Sequence, residues 1–309
     1  MKQVAVSCNL CGRDDWRVRF PATIRGSSHP ETGAFRCTSA GYGSHPQIVQ
    51  CRYCDYVYAN PRWEGKALLE AYQAVEDDTY VAEREGRELT FTRHLRALEK
   101  VVGPAAGHRL LDVGAYIGVF VEVALAAGWD ARGVEPSHWA VAVARQRGLP
   151  VVQGTQQALQ VAGERFDLIT MWDVIEHVAD PAAELACAYE LLRPGGYIAV
   201  HTMDVESLAA RLLGPRWPWL MDMHIHYFSR RTLTQMLQKQ GFEVVWHGAQ
   251  GRYLRLGYLA SRLGGVNAGV GRLAANLVWR LHLADVAVPV NFGDLFTAYA
   301  RRPVAGTNR

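Results

Sequence analysis

Three groups of residues in this chain have the types and spacing to do chemistry. The first is a pair of cysteine knuckles, Cys8-Asn-Leu-Cys11 and Cys51-Arg-Tyr-Cys54. Four thiolates on two such turns can close a tetrahedral Zn²⁺ site. Gly12 and Asp55 follow the second cysteine of each pair, and both types tolerate the left-handed backbone that a knuckle needs. The second group is the stretch "RLLDVGAYIGVF", in which an apolar strand ends at Asp112 and Gly114 and a helix opens at Gly118. The third is histidine. Glu176 and His177 lie in "DVIEHVADP", while His224 and His226 lie in "RWPWLMDMHIHYFS" among Trp217, Trp219, Tyr227 and Phe228. Histidine can take a proton near neutral pH, and aromatic walls can exclude water and stack on a ring or sugar face.

The glycine loop narrows its own ligand. A dinucleotide fingerprint reads GxGxxG and sets a pyrophosphate on a helix N-terminus. Here Tyr116 replaces the middle glycine, and the loop lacks the lysine of a P-loop. An adenosine ligand without a phosphate chain fits better. Glu135 closes the following strand, where a carboxylate can accept both ribose hydroxyls.

The elements that must position these groups are legible by period. "RLLDVG", "DARGVE", "PVVQG", "FDLITMW" and "GGYIAVHT" read as strands, and "VFVEVALAAG", "HWAVAVARQRG" and "DPAAELACAYELLRPGG" as intervening helices. That alternation implies an α/β fold with a mostly parallel, doubly wound sheet. "FEVVWHGA" and "DLFTAYARRP" add two later strands, and 252–285 reads as amphipathic helix. Ser229 is placed to cap the helix "SRRTLTQMLQKQG". The expected division is a zinc ribbon over 1–61, a helical linker or cap over 62–105, and a cofactor-binding domain over 106–309 with a helical insert near 252–285. Cys37, His29 and His45 read as solvated loop residues, and Cys187 as core.

"LLDVGAYIGVF", "GVEPS", "FDLITMWDVIEHVADP" and "LLRPGGYIAV" resemble, in order, the motifs of class I S-adenosylmethionine-dependent methyltransferases, over about Tyr72 to Arg302. The resemblance implies a seven-stranded sheet whose last strand is antiparallel. It implies that Gly114 and Gly118 pack under the methionine part of the cofactor and that Asp112 orients it. It places Glu135 on the ribose, and Trp172 and Asp173 near the sulfonium. Ala115 stands where many members have Cys, and keeps a small residue. Gln156 stands near the place where an acid often meets the adenine amino group. An N-terminal ribbon before the catalytic domain resembles some methyltransferases of polysaccharide and natural-product pathways. Asp173, Glu176 and His177 are similar to an acid–Glu–His cluster of ubiquinone-pathway O-methyltransferases, which can use a divalent ion.

The bulk composition bounds the partners. The 309 residues are 49% hydrophobic and 20% charged, with a formal net charge of +3, ordinary for a globular chain with a small-molecule or carbohydrate acceptor. The first sixty residues hold seven Lys/Arg against four Asp/Glu, scattered rather than clustered, so no nucleic-acid partner is expected. Without a signal-peptide core or a membrane-length apolar run, a cytoplasmic chain with no stable membrane insertion is expected. In that reducing compartment the paired cysteines favour metal over disulfides. The leading expectation is O-methylation of a sugar, glycan or secondary metabolite, with His224 as base ahead of His177. C-methylation of a nucleotide sugar and a zinc-ribbon nucleic-acid binding or modifying protein are the rivals.

Overall fold

The computed structural model of the protein describes residues 3–24, 32–39, 41–266 and 268–304; His29 lies outside them. The chain opens with β1 (Gln3–Val4), β2 (Trp16–Phe20), β3 (Ile48–Cys51), β4 (Val57–Ala59) and β5 (Arg62–Trp63). β1 pairs with β5, while β2, β3 and β4 form an antiparallel sheet. Three helices follow: α1 (Gly65–Gln73), α2 (Asp78–Ala82) and α3 (Arg84–Val102). α2 is capped by Asp77, whose carboxylate accepts the Tyr80 N–H at 3.1 Å.

The alternating part then runs β6 (Arg109–Val113), α4 (Val119–Ala126), β7 (Asp130–Glu135), α5 (His138–Gln146), β8 (Val151–Gln153), α6 (Gln156–Val161), β9 (Phe166–Trp172), α7 (Pro181–Leu191) and β10 (Leu192–Met203). After α8 (Leu208–Leu213) come β11 (His226–Tyr227), α9 (Arg230–Lys239) and β12 (Glu243–Ala249). The chain closes with β13 (Arg252–Arg255), α10 (Leu256–Val266), α11 (Ala268–Arg280), β14 (Ala287–Val290) and β15 (Leu295–Arg301). Seven strands make one sheet in the order β12-β15-β10-β9-β6-β7-β8, and β15 runs antiparallel between β10 and β12. The central strands β6 and β9 are apolar and buried along almost their whole length because helices cover both faces. Ser229 caps α9 with a reciprocal Ser229–Thr232 pair, as its sequence position indicates.

Two features differ from the periodicity reading. Residues 252–285 are helical over α10 and α11, but the segment opens as β13, which pairs antiparallel with β14 beyond the helices. The aromatic and β-branched residues of "RYLR" and "AVPV" suit that ladder. The second feature is β11, which lies beyond α8 yet pairs antiparallel with β4 of the ribbon, His226 opposite Tyr58 and Tyr227 opposite Val57. The ribbon sheet is therefore completed by a strand from the far side of the chain.

One core crosses that junction. Cys8, Leu10, Val49, Cys51, Tyr56 and Tyr58 of the ribbon pack in the same cluster as Ile169, Val200, Phe228 and Leu233. Removing a fully buried side chain such as Phe228 should cost about 3–5 kcal/mol. On the other sheet face, Leu95 and Leu98 of α3 pack with Phe120, Trp129 and Trp172. No helix among the described residues is long and apolar enough to cross a membrane.

Candidate functional site

The glycine loop sits at the carboxyl ends of β6 and β9. Gly114 and Gly118 have φ of 70° and 79°, and an added Cβ would lie 2.6 Å from Val174 and 2.8 Å from Leu149. Both therefore need glycine for backbone sign and for space. Ala115 packs on Gly133, where a Cβ would stand 2.4 Å from the Ala115 methyl; a small residue is required on both sides. Glu135 is buried, and its carboxylate accepts the Tyr116 N–H at 2.9 Å and the Ser137 N–H at 2.7 Å. Burial pushes its pKa up to about 7, against the pull of those two N–H groups. Each oxygen accepts one bond and has capacity for another, so a diol fits beside it. Asp112 accepts the Thr170 hydroxyl at 2.7 Å, and burial raises it to about 8. Its carboxyl is thus turned onto β9. The Gln156 amide donates to Glu184, leaving only its buried carbonyl oxygen without a partner; it faces α7 rather than offering an N–H to a ring.

The loop after β9 carries Asp173 at φ 56°, followed by Glu176 and His177. His177 and His224 come together, ring centroids 4.9 Å apart. His177 Nδ1 lies 2.9 Å from the Met223 carbonyl and His224 Nδ1 lies 2.7 Å from the Trp219 carbonyl. A carbonyl only accepts, so both Nδ1 atoms donate and both Nε2 atoms carry a lone pair. The two rings and the Glu176 carboxylate present ligand atoms all within 4.8 Å of one another. Glu176 Oε2 is buried and unpartnered. Burial lowers His224 to about 3 and also lowers His177, so both are neutral. Burial, with the Asp173 charge second, raises Glu176 to about 8. Backbone bonds from Ile225 and His226 to the Glu176 carbonyl clamp the two loops together.

Asp173 does not join that trio. Its carboxylate pairs with Arg252 at 2.6 Å and lies 3.8 Å from His201 Nε2. The Asp173–Glu176–His177 grouping is therefore replaced by Glu176–His177–His224. A residue immediately after a strand points by its own backbone angle, and the left-handed turn at Asp173 aims it at β13. His226 faces no solvent. It is buried between Tyr56 Oη and the Arg62 guanidinium, each at 2.9 Å. Arg62 donates to Nε2, so His226 donates from Nδ1 to Tyr56, and this histidine binds ribbon to site. His45 is also buried, its Nδ1 held by the Pro46 carbonyl, not solvated. Cys37 is exposed and Cys187 is buried.

Several polar residues had no sequence signal. His94 and His201 join Trp172, already singled out by the resemblance, in a buried ring cluster with centroids 5.1–5.9 Å apart, and each leaves one ring nitrogen unpartnered. Arg252 reaches over the Trp219 ring at 5.3 Å. Arg87 lies 3.5 Å over Tyr80, whose ring meets Tyr116 of the glycine loop edge-on at 4.4 Å. Only the isolated histidine in the apolar run "GGYIAVHT" could have drawn notice, since buried histidine in a strand needs a partner.

In the ribbon, Cys8 and Cys54 Sγ are 3.4 Å apart and Cys11 and Cys51 Sγ 3.6 Å. A tetrahedron of Zn–S bonds near 2.3 Å has edges of about 3.8 Å, so the four sulfurs stand almost at ligand spacing. Gly12 and Asp55 have φ of 76° and 61°, the left-handed turns the knuckles require. Burial pushes the Cys54 thiol up to about 11 and Cys8 further; a thiolate at either of these two positions needs a cation.

Comparison with known proteins agrees with this geometry. A family of methyltransferase domains matches residues 80–247, more than half of the chain, and the chain belongs to that family. Its α/β unit is a class I, S-adenosylmethionine-dependent methyltransferase domain. A ubiquinone biosynthesis O-methyltransferase of Cereibacter sphaeroides is 38% identical over 122 residues, 37% of this chain and 49% of that protein. Another, of Ruegeria pomeroyi, is 37% identical over 158 residues, 46% of this chain and 62% of that protein. The chain spans about half the length of the first of these relatives. In fold it is similar to a solved S-adenosylmethionine-dependent methyltransferase of Archaeoglobus fulgidus, with a TM-score of 0.50, 17% identity, and coverage of 73% of this chain and 100% of that one.

Proposed function

We propose that the chain transfers the methyl group of S-adenosylmethionine to a hydroxyl of a small acceptor, a sugar or a ring-bearing secondary metabolite. The observation that carries this reading is the grouping of Glu176, His177 and His224, whose ligand atoms all lie within 4.8 Å of one another. Gly114, Ala115 and Gly118 would seat the methionine part. Glu135 would hold the ribose, Arg87 would face the cofactor's carboxylate, and Trp172 and Asp173 would border the sulfonium. The sulfonium makes the methyl reactive; the chain must align the acceptor and take its proton. His224 Nε2 would accept that proton, with His177 beside it and the half-exposed Trp219 as a stacking wall. The curated relatives are named for O-methylation, which supports oxygen as the methylated atom. The four cysteines would hold a structural Zn²⁺.

A second reading of the same trio is favoured by its ligand chemistry. Two neutral imidazoles and a carboxylate, each imidazole fixed by a carbonyl on its other nitrogen, are a donor set for a divalent ion that would polarise the acceptor hydroxyl. The test is labelled S-adenosylmethionine with a panel of sugars, catechols and other phenols, with and without chelator and added Mg²⁺. Turnover that is indifferent to chelation assigns His224 as a free base. Turnover restored by Mg²⁺ assigns the trio to a metal. Absence of any cofactor binding would overturn the proposal.

A further inference from the structure

The insert between β13 and β14 is the largest part of the molecule whose chemistry methyl transfer leaves unused. Leu273, Leu277, Trp279 and Leu281 in and just after α11 are 73%, 59%, 66% and 56% exposed. Leu273 and Leu277 are four apart and share a helix face. Adjacent large apolar side chains held in water mark an interaction surface. The charge around them has one sign. Residues 256–284 contain Arg262, Arg272 and Arg280 and no Asp or Glu. Arg262 is tied back to the Thr38 and Ser39 carbonyls, whereas Arg272 and Arg280 are exposed. The next acid, Asp285, is held by Arg255 at 3.0 Å.

A second observation extends the pattern. The outer side of α3 carries exposed Arg93, Arg96 and Lys100, which line a groove together with Tyr253 of β13. The strand that launches the apolar hairpin thus also borders a cationic surface. Its base is firm: the Tyr253 N–H donates to Thr90 Oγ1 at 2.7 Å, and His94 Nε2 donates to the Gly251 carbonyl at 3.0 Å.

We propose that the α10–α11 hairpin docks on an anionic lipid bilayer, with Leu273 and Leu277 in the acyl boundary and Arg272 and Arg280 among the headgroups. Apolar side chains flanked by unopposed arginines and an interfacial tryptophan are the composition of a helix that lies in a membrane surface without crossing it. A second copy of the chain fits less well, because a two-fold contact through this face would bring arginines against arginines. The inference does not depend on the acceptor. It has a bearing on it all the same: Arg252, at the root of the hairpin, grips Asp173 at the site.

Vesicle sedimentation tests it on the full chain. Vesicles of phosphatidylcholine with phosphatidylglycerol should carry the protein down, phosphatidylcholine alone should carry little, and added salt should release it. Replacing both leucines (Leu273→Glu with Leu277→Glu) should weaken binding by tenfold or more, on the order of two buried side chains. Arg272→Gln and Arg280→Gln should each weaken it roughly fivefold. All positions are exposed, so cofactor affinity and thermal midpoint should not move. Wild-type protein that stays in the supernatant with anionic vesicles would overturn the proposal. So would undiminished binding by the double leucine variant, or a concentration-dependent dimer in sedimentation equilibrium that the same variant abolishes.

Discussion

Among the described residues two compact sets of metal-capable side chains stand together, and they are built in opposite ways. The four ribbon thiols come from two short knuckles in one module, all on turns whose backbone angles are fixed by Gly12 and Asp55. Four thiolates could close a tetrahedral site with no position left for a further group. The Glu176–His177–His224 trio takes its members from two loops distant in sequence, each anchored by carbonyls and by the Glu176 backbone. Three ligand atoms leave positions open. Closure suits a structural ion and openness suits a site that admits a substrate. A protein can thus use similar donor chemistry once to hold shape and once to leave a vacancy for reaction.

The largest effect should come from breaking the closed set. Cys51→Ser should abolish ribbon Zn²⁺ by elemental analysis and destabilise the chain by several kcal/mol. Because the ribbon shares one core with the sheet, a single cooperative melt should shift, and two separate transitions would contradict the shared core. Next, His224→Ala should lower the transfer rate by roughly a hundredfold or more while cofactor affinity by calorimetry stays near wild type. His177→Ala should do less if His224 is a free base, and as much if the trio binds metal. Glu135→Gln should weaken cofactor binding about tenfold or more by removing charge-assisted bonds to the ribose. Arg87→Gln should weaken it too, without affecting the trio.

The smallest effect concerns pH and Co²⁺. Glu176, raised to about 8 by burial, is protonated at neutral pH, and a metal must displace that proton. Co²⁺ titrated into the trio should bind more tightly as pH rises, levelling above about 8, and its spectrum should lack the thiolate charge-transfer bands of Co²⁺ in the ribbon. Affinity at the trio that falls as pH rises from 6 to 8 would show that the carboxylate is not a ligand.

The two sets also differ in how far sequence reveals them. The knuckles are local: spacing alone names the ligands, because the turns are made by the neighbours of each cysteine. The glycine loop and Glu135 are nearly as local, tied by consecutive strands; the mostly parallel sheet follows from strand–helix alternation, and its seven strands from the family resemblance. The trio was half visible. Glu176, His177 and His224 were each singled out, yet only tertiary packing joins His224 to the other two and turns Asp173 away. His94, His201, Arg87 and Arg252 were invisible, since their roles depend on which unpartnered atoms are enclosed together. In the insert the helical period holds over α10 and α11, and only "RYLR" belongs to a strand instead, because its partner β14 lies beyond the two helices and outside the local pattern.

The two-residue strand β11 has a consequence for the order in which the molecule is made. Tyr56 and His226, which it brings together, are 170 residues apart. A chain emerging from its amino end can complete the ribbon knuckles long before β11 exists, and the outer edge of β4 must wait unpaired. Contacts of such long range form late, after the loop between them has been ordered. The segment bearing His224 adjoins β11, so its place depends on a strand edge that the first sixty residues supply.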